Sequence, residues 1–301
     1  MMPTENPRSI LCAIDFSEQS RHALRWAAAL ASWFGSDLTV INVVDPLLAQ
    51  AVRVRSGQDL AREDIEPALR QFVAATLTAP PPAVTLTSVV FRTPIGDAAR
   101  SILETAEEDG ADLIVMGTQG LSGFRKWLLG STILRLLRRT RVPVLGVPQP
   151  DESLTHEEPS VRRILATTDF GNSSITAVKA AVQWARACPA TLTVSHIVTP
   201  LTVPPEWRSL VETSDETRVA NGRAQLHALA QQLCGAHECD EVVVLGHPAD
   251  AIASVALERR AELIVMGLAS DDGLLSARPG SIAYRVLSST SVPVLIVPHV
   301  D

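Results

Sequence analysis

Ile10-Leu11-Cys12-Ala13-Ile14-Asp15-Phe16 recurs further along the chain as Ile164-Leu165-Ala166-Thr167-Thr168-Asp169-Phe170. Each is a short apolar run closed by an acidic and then an aromatic residue. Four more landmarks repeat in the same order. Leu38-Thr39-Val40 returns as Leu192-Thr193-Val194, and Thr93-Pro94 with Asp97 returns as His247-Pro248 with Asp250. Ile114-Val115-Met116-Gly117 returns as Ile264-Val265-Met266-Gly267, and Val142-Pro143-Val144-Leu145 as Val292-Pro293-Val294-Leu295. Chance does not deliver such an ordered series, so the chain reads as two copies of one unit. The copies are expected at 1–149 and 161–301. The stretch 150–160 between them, with Pro150, Asp151, Glu152, Glu157, Glu158 and Pro159, has no core pattern and reads as a linker.

Within each copy, short apolar strands alternate with helical segments as βαβαβαβαβ. That pattern predicts an α/β fold, a doubly wound parallel sheet with helices on both faces. In the first copy the strands are expected near 9–14, 37–44, 84–91, 112–116 and 142–147. They are apolar throughout rather than alternating, as strands covered on both faces should be. Ala23, Ala27, Leu30 and Phe34 mark one face of the first helix, and Ala177, Ala181, Trp184 and Cys188 mark its counterpart.

With 301 residues, 46% of them hydrophobic, there is material for two cores. A formal net charge of -7 argues against nucleic acid as a partner, because duplex binding needs a basic surface. No apolar run has the length of a membrane span or a signal sequence, so no membrane partner is expected and the cytoplasm is the expected compartment. Four cysteines are too few for a disulfide scaffold. Cys12 and Cys188 read as buried small hydrophobes. Cys234, His237 and Cys239 are metal-ligating types in a cluster, but a fourth ligand is missing locally, so a helix end and loop is expected and no metal site.

After the fourth strand of the first copy come Gly117 and Gly120, then nine residues, then Gly130-Ser131-Thr132 opening a helix. Glycines at a strand's carboxyl end let backbone approach an anion, and a helix start presents free N–H groups to it. The same glycines could merely end a strand and start a helix. The pattern is not a Walker A loop, since no Gly-Lys-Ser/Thr follows, nor a Rossmann Gly-x-Gly-x-x-Gly.

The spacing Gly-x2-Gly-x9-Gly-Ser resembles that of the ATP-binding branch of the universal stress protein family. The resemblance covers nearly the whole chain: each copy has the Asp-Phe strand end, the Val-Met-Gly strand and a closing Val-Pro-Val-Leu strand. The second copy also has Gly246-His247-Pro248, whereas the first copy, aligned on its proline, has Arg92-Thr93-Pro94 and lacks that glycine. The resemblance implies two tandem five-stranded sheets of order 3-2-1-4-5, of the adenine nucleotide alpha hydrolase-like type. It implies ATP, with Mg²⁺ on the phosphates, as ligand. Ala13, Asp15, Val43 and Met116 would line the adenosine pocket, and Gly117, Gly120, Gly130, Ser131 and Thr132 would surround ribose and phosphates. Asp15 would equally suit a helix N-terminus. A second, weaker site would use Asp169, Ile197, Met266, Gly267, Gly280 and Ser281. There Ser270 replaces a glycine and Asp271 and Asp272 would repel phosphates, where the first copy has Arg125 and Lys126.

The resemblance implies a stress-response regulator or sensor, with no catalytic residue evident. The alternatives are a nucleotide hydrolase or transferase of the same superfamily, and an interaction module with empty sites. His196 reads as a core or pocket-edge residue. The family also implies pairing through the closing strands, here expected within the chain as an internal pseudo-dimer, with a homodimer as the competing arrangement.

Overall fold

Strand β1 (Ser9–Ala13) has no polar face: Ile10, Leu11 and Cys12 are fully buried. A strand buried on both sides belongs at the centre of a parallel sheet. It pairs in parallel with β2 (Asp37–Ile41) on one side and β4 (Leu113–Gly117) on the other. Outside these lie β3 (Val90–Arg92) against β2 and β5 (Val144–Val147) against β4. The order is therefore β3-β2-β1-β4-β5, as expected. This computed structural model describes residues 6–57, 59–60, 62–77, 88–120, 129–149, 159–201, 203–204, 214–235, 237–268 and 282–298.

The chain divides into two compact units between Pro159 and Ser160. The second unit repeats the topology with β6 (Arg163–Thr168), β7 (Thr191–Val198), β8 (Cys239–Leu245), β9 (Leu263–Leu268) and β10 (Val294–Pro298), in the order β8-β7-β6-β9-β10.

Parallel neighbours need crossovers, and helices supply them. In the first unit these are α1 (Glu18–Phe34), α2 (Pro46–Ser56), α3 (Arg62–Thr76), α4 (Ala98–Glu108) and α5 (Ser131–Leu137). In the second they are α6 (Asn172–Ala187), α7 (Ser214–Cys234), α8 (Pro248–Glu258) and α9 (Ile282–Ser289). The expected apolar stripes are on the sheet side: Ala23, Ala27, Leu30, Ala177, Ala181 and Trp184 are buried. Phe34 and Cys188 are only half-buried, because they fall at the last helical residue and the C-cap, where the chain turns away from the sheet. Two helices, not one, join β2 to β3, and α2 has no buried residue. Strand β2 ends at Ile41, with Val44 making a separate parallel bridge to Ile95. Of the third strand expected at 84–91, residues 84–87 lie outside the described residues.

The second-copy glycine has a first-copy counterpart after all. Gly96 N–H donates to Val44 O at 3.0 Å, and Gly246 N–H donates to Val198 O at 2.9 Å. The residue after each glycine, Asp97 or His247, is the N-cap of α4 or α8. Gly96-Asp97-Ala98 therefore corresponds to Gly246-His247-Pro248. Alignment on the prolines was misleading because Pro94 precedes the turn whereas Pro248 opens the helix.

Ser17 caps α1 by accepting from Ser20 N–H at 3.1 Å, whereas Gly171 caps α6 with no side chain. Replacing Ser17 with Ala should cost about 1 kcal/mol of helix stability. Amide exchange in the first turn of α1 should speed up by roughly fivefold, while α6 is unchanged.

Candidate functional site

Strands β1, β2 and β4 end at the same edge of the first sheet, and the order of strands reverses direction at β1. That switch point is where an open α/β sheet leaves a crevice, because successive crossovers depart to opposite faces. The helices sort accordingly: α1 packs on α3, and α4 on α5. A cavity of about 290 Å³ lies there.

All nine residues expected for the first site line this one cavity: Ala13, Asp15, Val43, Met116, Gly117, Gly120, Gly130, Ser131 and Thr132. Its inner wall is apolar, from Ala13, Ile14, Ile41 and Met116, with Ala98 and Ile102 added from α4. Polar groups gather at the rim formed by the loop after β4 and the start of α5. The cavity thus joins an apolar slot to a rim of backbone and hydroxyl groups, the make-up of a small-molecule site.

Close approach fixes the glycines. A Cβ on Gly120 would lie 2.7 Å from Asp15 Oδ2, so a side chain there would displace the carboxylate. The other carboxylate oxygen, Oδ1, accepts from Ser17 N–H at 3.1 Å, which orients it at the head of α1. Gly130 N–H donates to Thr118 O at 2.8 Å, and a Cβ on Gly130 would meet that same oxygen at 3.3 Å. This contact closes the loop onto its own base. Arg125 and Lys126 lie outside the described residues.

Sequence reasoning missed a clasp. Gln19 Oε1 accepts from Gln119 N–H at 2.8 Å, and Gln19 Nε2 donates to Gln119 Oε1 at 3.1 Å. Gln19 is buried under the loop, so one side chain of α1 holds the residue immediately before Gly120. Only the fold brings these two residues together. Ala98 and Ile102 were more accessible to sequence reasoning, being one helical turn apart directly after the Asp97 cap. Asp97 also forms an ion pair with Arg135 that ties α4 to α5. Its carboxyl is held below the usual range, first by the Arg100 backbone N–H and also by the Arg135 charge. The second unit repeats this tie with Asp250 and Arg285 at 3.2 Å.

The universal stress protein family matches this chain twice, over residues 7–148 and 160–298. The chain belongs to the universal stress protein family. It is 26% identical over 310 aligned positions to a universal stress protein of Mycolicibacterium smegmatis, covering 99% of both chains. It is 27% identical to one of Mycobacterium tuberculosis, covering 95% of each. The fold is also that of a universal stress protein from Archaeoglobus fulgidus, at a TM-score of 0.67 and 19% identity, covering 97% of this chain and 98% of that one.

The second universal stress protein domain is built differently at the equivalent place. Ala13 pairs with Ile41 in β1 and β2, and Thr167 pairs with Ser195 in β6 and β7. Thr168 likewise stands where Ile14 stands. Three apolar positions of the first crevice thus carry hydroxyls in the second. Ser174 Oγ donates to Asp169 Oδ1 at 2.6 Å, and Gly171 N–H donates to the same oxygen at 3.0 Å. Met266 is buried, Ile197 is half-buried, and Gly267 is pressed against α6, where a Cβ would come within 2.5 Å of Ser173. Gly280 and Ser281, like Ser270, Asp271 and Asp272, lie outside the described residues. His196 is half-buried at the carboxyl edge, with its ring 4.4 Å from that of Phe170.

The clasp gives a direct prediction. In Gln19→Leu the Gln119 amide loses its acceptor, a net effect of about 1 kcal/mol per hydrogen bond. Exchange at Gln119 and Gly120 should accelerate by roughly fivefold to thirtyfold, as read by NMR, with β1 and β4 unaffected.

Proposed function

We propose that the first domain binds ATP, with Mg²⁺ on the phosphates, and that the chain acts as a nucleotide-dependent stress-response regulator or sensor. The observation that carries this is a single crevice at the switch point with an apolar inner wall and a glycine-lined rim. Its volume lies near the lower end for ligand pockets, roughly 300 Å³, which suits the nucleoside part with the phosphates outside. Ala13, Ile41, Val43 and Met116 would hold the base, and Asp15 the ribose hydroxyls. Gly120, Gly130, Ser131 and Thr132 would face the phosphates. Among the described residues that line the cavity Asp15 is the only titratable side chain, and it is engaged at the head of α1. That supports a binding role over a hydrolytic one.

The second domain is the weaker adenine site in this reading. Thr167, Thr168 and Ser195 reduce the apolar wall, and Asp169 is already engaged by Ser174. Each methylene of apolar contact missing from that wall is worth about 0.8 kcal/mol, and a factor of ten in affinity needs about 1.4 kcal/mol.

Calorimetric titration with Mg·ATP should give one tight site per chain. Gly130→Val should abolish it while the circular dichroism spectrum stays unchanged, because the added side chain meets Thr118 O rather than the core. Unaltered affinity in a folded Gly130→Val chain would refute the site, two equal sites would refute the inequality, and rapid ADP release would favour the hydrolase reading.

A further inference from the structure

Helix α7 ends at Cys234 and strand β8 begins at Cys239, and their sulfurs lie 2.6 Å apart although both are free thiols. The fold fixes both partners. Gly235 takes φ +58 and ends the helix. The Cys234 carbonyl accepts from Arg186 on α6 at 2.8 Å and from His237 N–H at 3.0 Å. Cys239 is held in register opposite Leu192 of β7. The proximity therefore arises from backbone on both sides. No third ligand type joins the pair closely enough to hold a metal among the described residues.

We propose that Cys234 and Cys239 are a reversible oxidation site, converted to an intramolecular disulfide by low-molecular-weight disulfides. Cys234 is 3% exposed and Cys239 half-buried, so Cys239 is the sulfur that a reagent reaches. Its thiolate attacks one sulfur of the oxidant, the S–S bond breaks, and the other half leaves as a thiol after taking a proton. Cys234 then attacks Cys239 Sγ in the mixed disulfide and expels the second half as a thiol. Two protein thiols and one disulfide become one protein disulfide and two small thiols. The product links the end of α7 to the start of β8, at the sheet edge opposite the carboxyl ends of the strands.

The surroundings set the rate. Burial, the Cys234 contact and the nearby Glu241 and Asp240 charges push the Cys239 thiol up to about 12. Arg259 at 3.1 Å from Asp240 partly offsets one of those carboxylates, His227 Nδ1 lies 3.0 Å from Glu241, and Arg186 approaches from α6. Thiolate is therefore scarce at neutral pH, and its fraction rises about tenfold per pH unit.

The full chain incubated with glutathione disulfide should lose alkylation at Cys234 and Cys239 together. The tryptic peptide that contains both should become lighter by two hydrogens, and dithiothreitol should restore it. The rate should climb about tenfold per unit from pH 7 to 9. In Cys234→Ser, Cys239 should stop at the glutathione adduct. The proposal is overturned if both thiols stay alkylatable in the unaltered chain, or if its Cys239 adduct persists without closing. Protection removed by a chelator but not by dithiothreitol would overturn it in favour of a metal.

Discussion

Everything in each domain follows from burying the central strand on both faces. A strand such as Ile10-Leu11-Cys12 can only sit between parallel neighbours, and parallel neighbours require helical crossovers. Because β2 and β4 lie on opposite sides of β1, those crossovers depart in opposite directions and leave a gap at the strands' carboxyl ends. The crevice is a consequence of sheet order. Its chemistry then comes from the few residues that stand at the strand ends.

The doubled α/β topology was legible because apolar runs and Asp-Phe ends are local features. Glycine spacing and family resemblance together also picked out nine residues that the fold brings to one crevice. The Gln19–Gln119 clasp was not, because two glutamines far apart in sequence carry no signal until α1 is laid across the end of β4. The position of Gly96 was misread for a different reason. Proline identity is a weak guide to alignment, since Pro94 and Pro248 play unrelated backbone roles. The backbone bonds from Gly96 to Val44 and from Gly246 to Val198 reveal the true correspondence.

The two domains solve one local problem with different residues. The last carbonyl after β1 and the one ending β6 both need a donor that β2 or β7 must supply. Asn42 Nδ2 donates to Ile14 O at 2.9 Å, and His196 Nδ1 contacts Thr168 O at the same distance. A carbonyl only accepts, so His196 Nδ1 carries the hydrogen. The bulkier ring needs space, and α7 provides it with Gly222, where a Cβ would lie 3.0 Å from His196 Cδ2. A glycine inside a helix costs up to about 1 kcal/mol relative to alanine. Here the ring's occupancy of the space beside it requires the glycine.

The turn from β1 into α1 shows what the duplication has kept. Phe16 and Phe170 both adopt left-handed backbone, φ 65 and φ 66, where a non-glycine residue costs roughly 1–2 kcal/mol. Their side chains have different neighbours: Phe16 meets Phe72 edge-on at 5.3 Å, and Phe170 meets the ring of His196. Shared packing partners therefore do not explain the shared strain. What the two turns have in common is the carboxylate just before them. In each, an Asp Oδ1 accepts a backbone N–H two residues on, at 3.1 Å in the first and 3.0 Å in the second. The left-handed residue reverses the chain between strand and helix so that this bond can form. It holds Asp15 at the crevice and Asp169 in the equivalent place, and the backbone strain is offset by orienting that carboxylate.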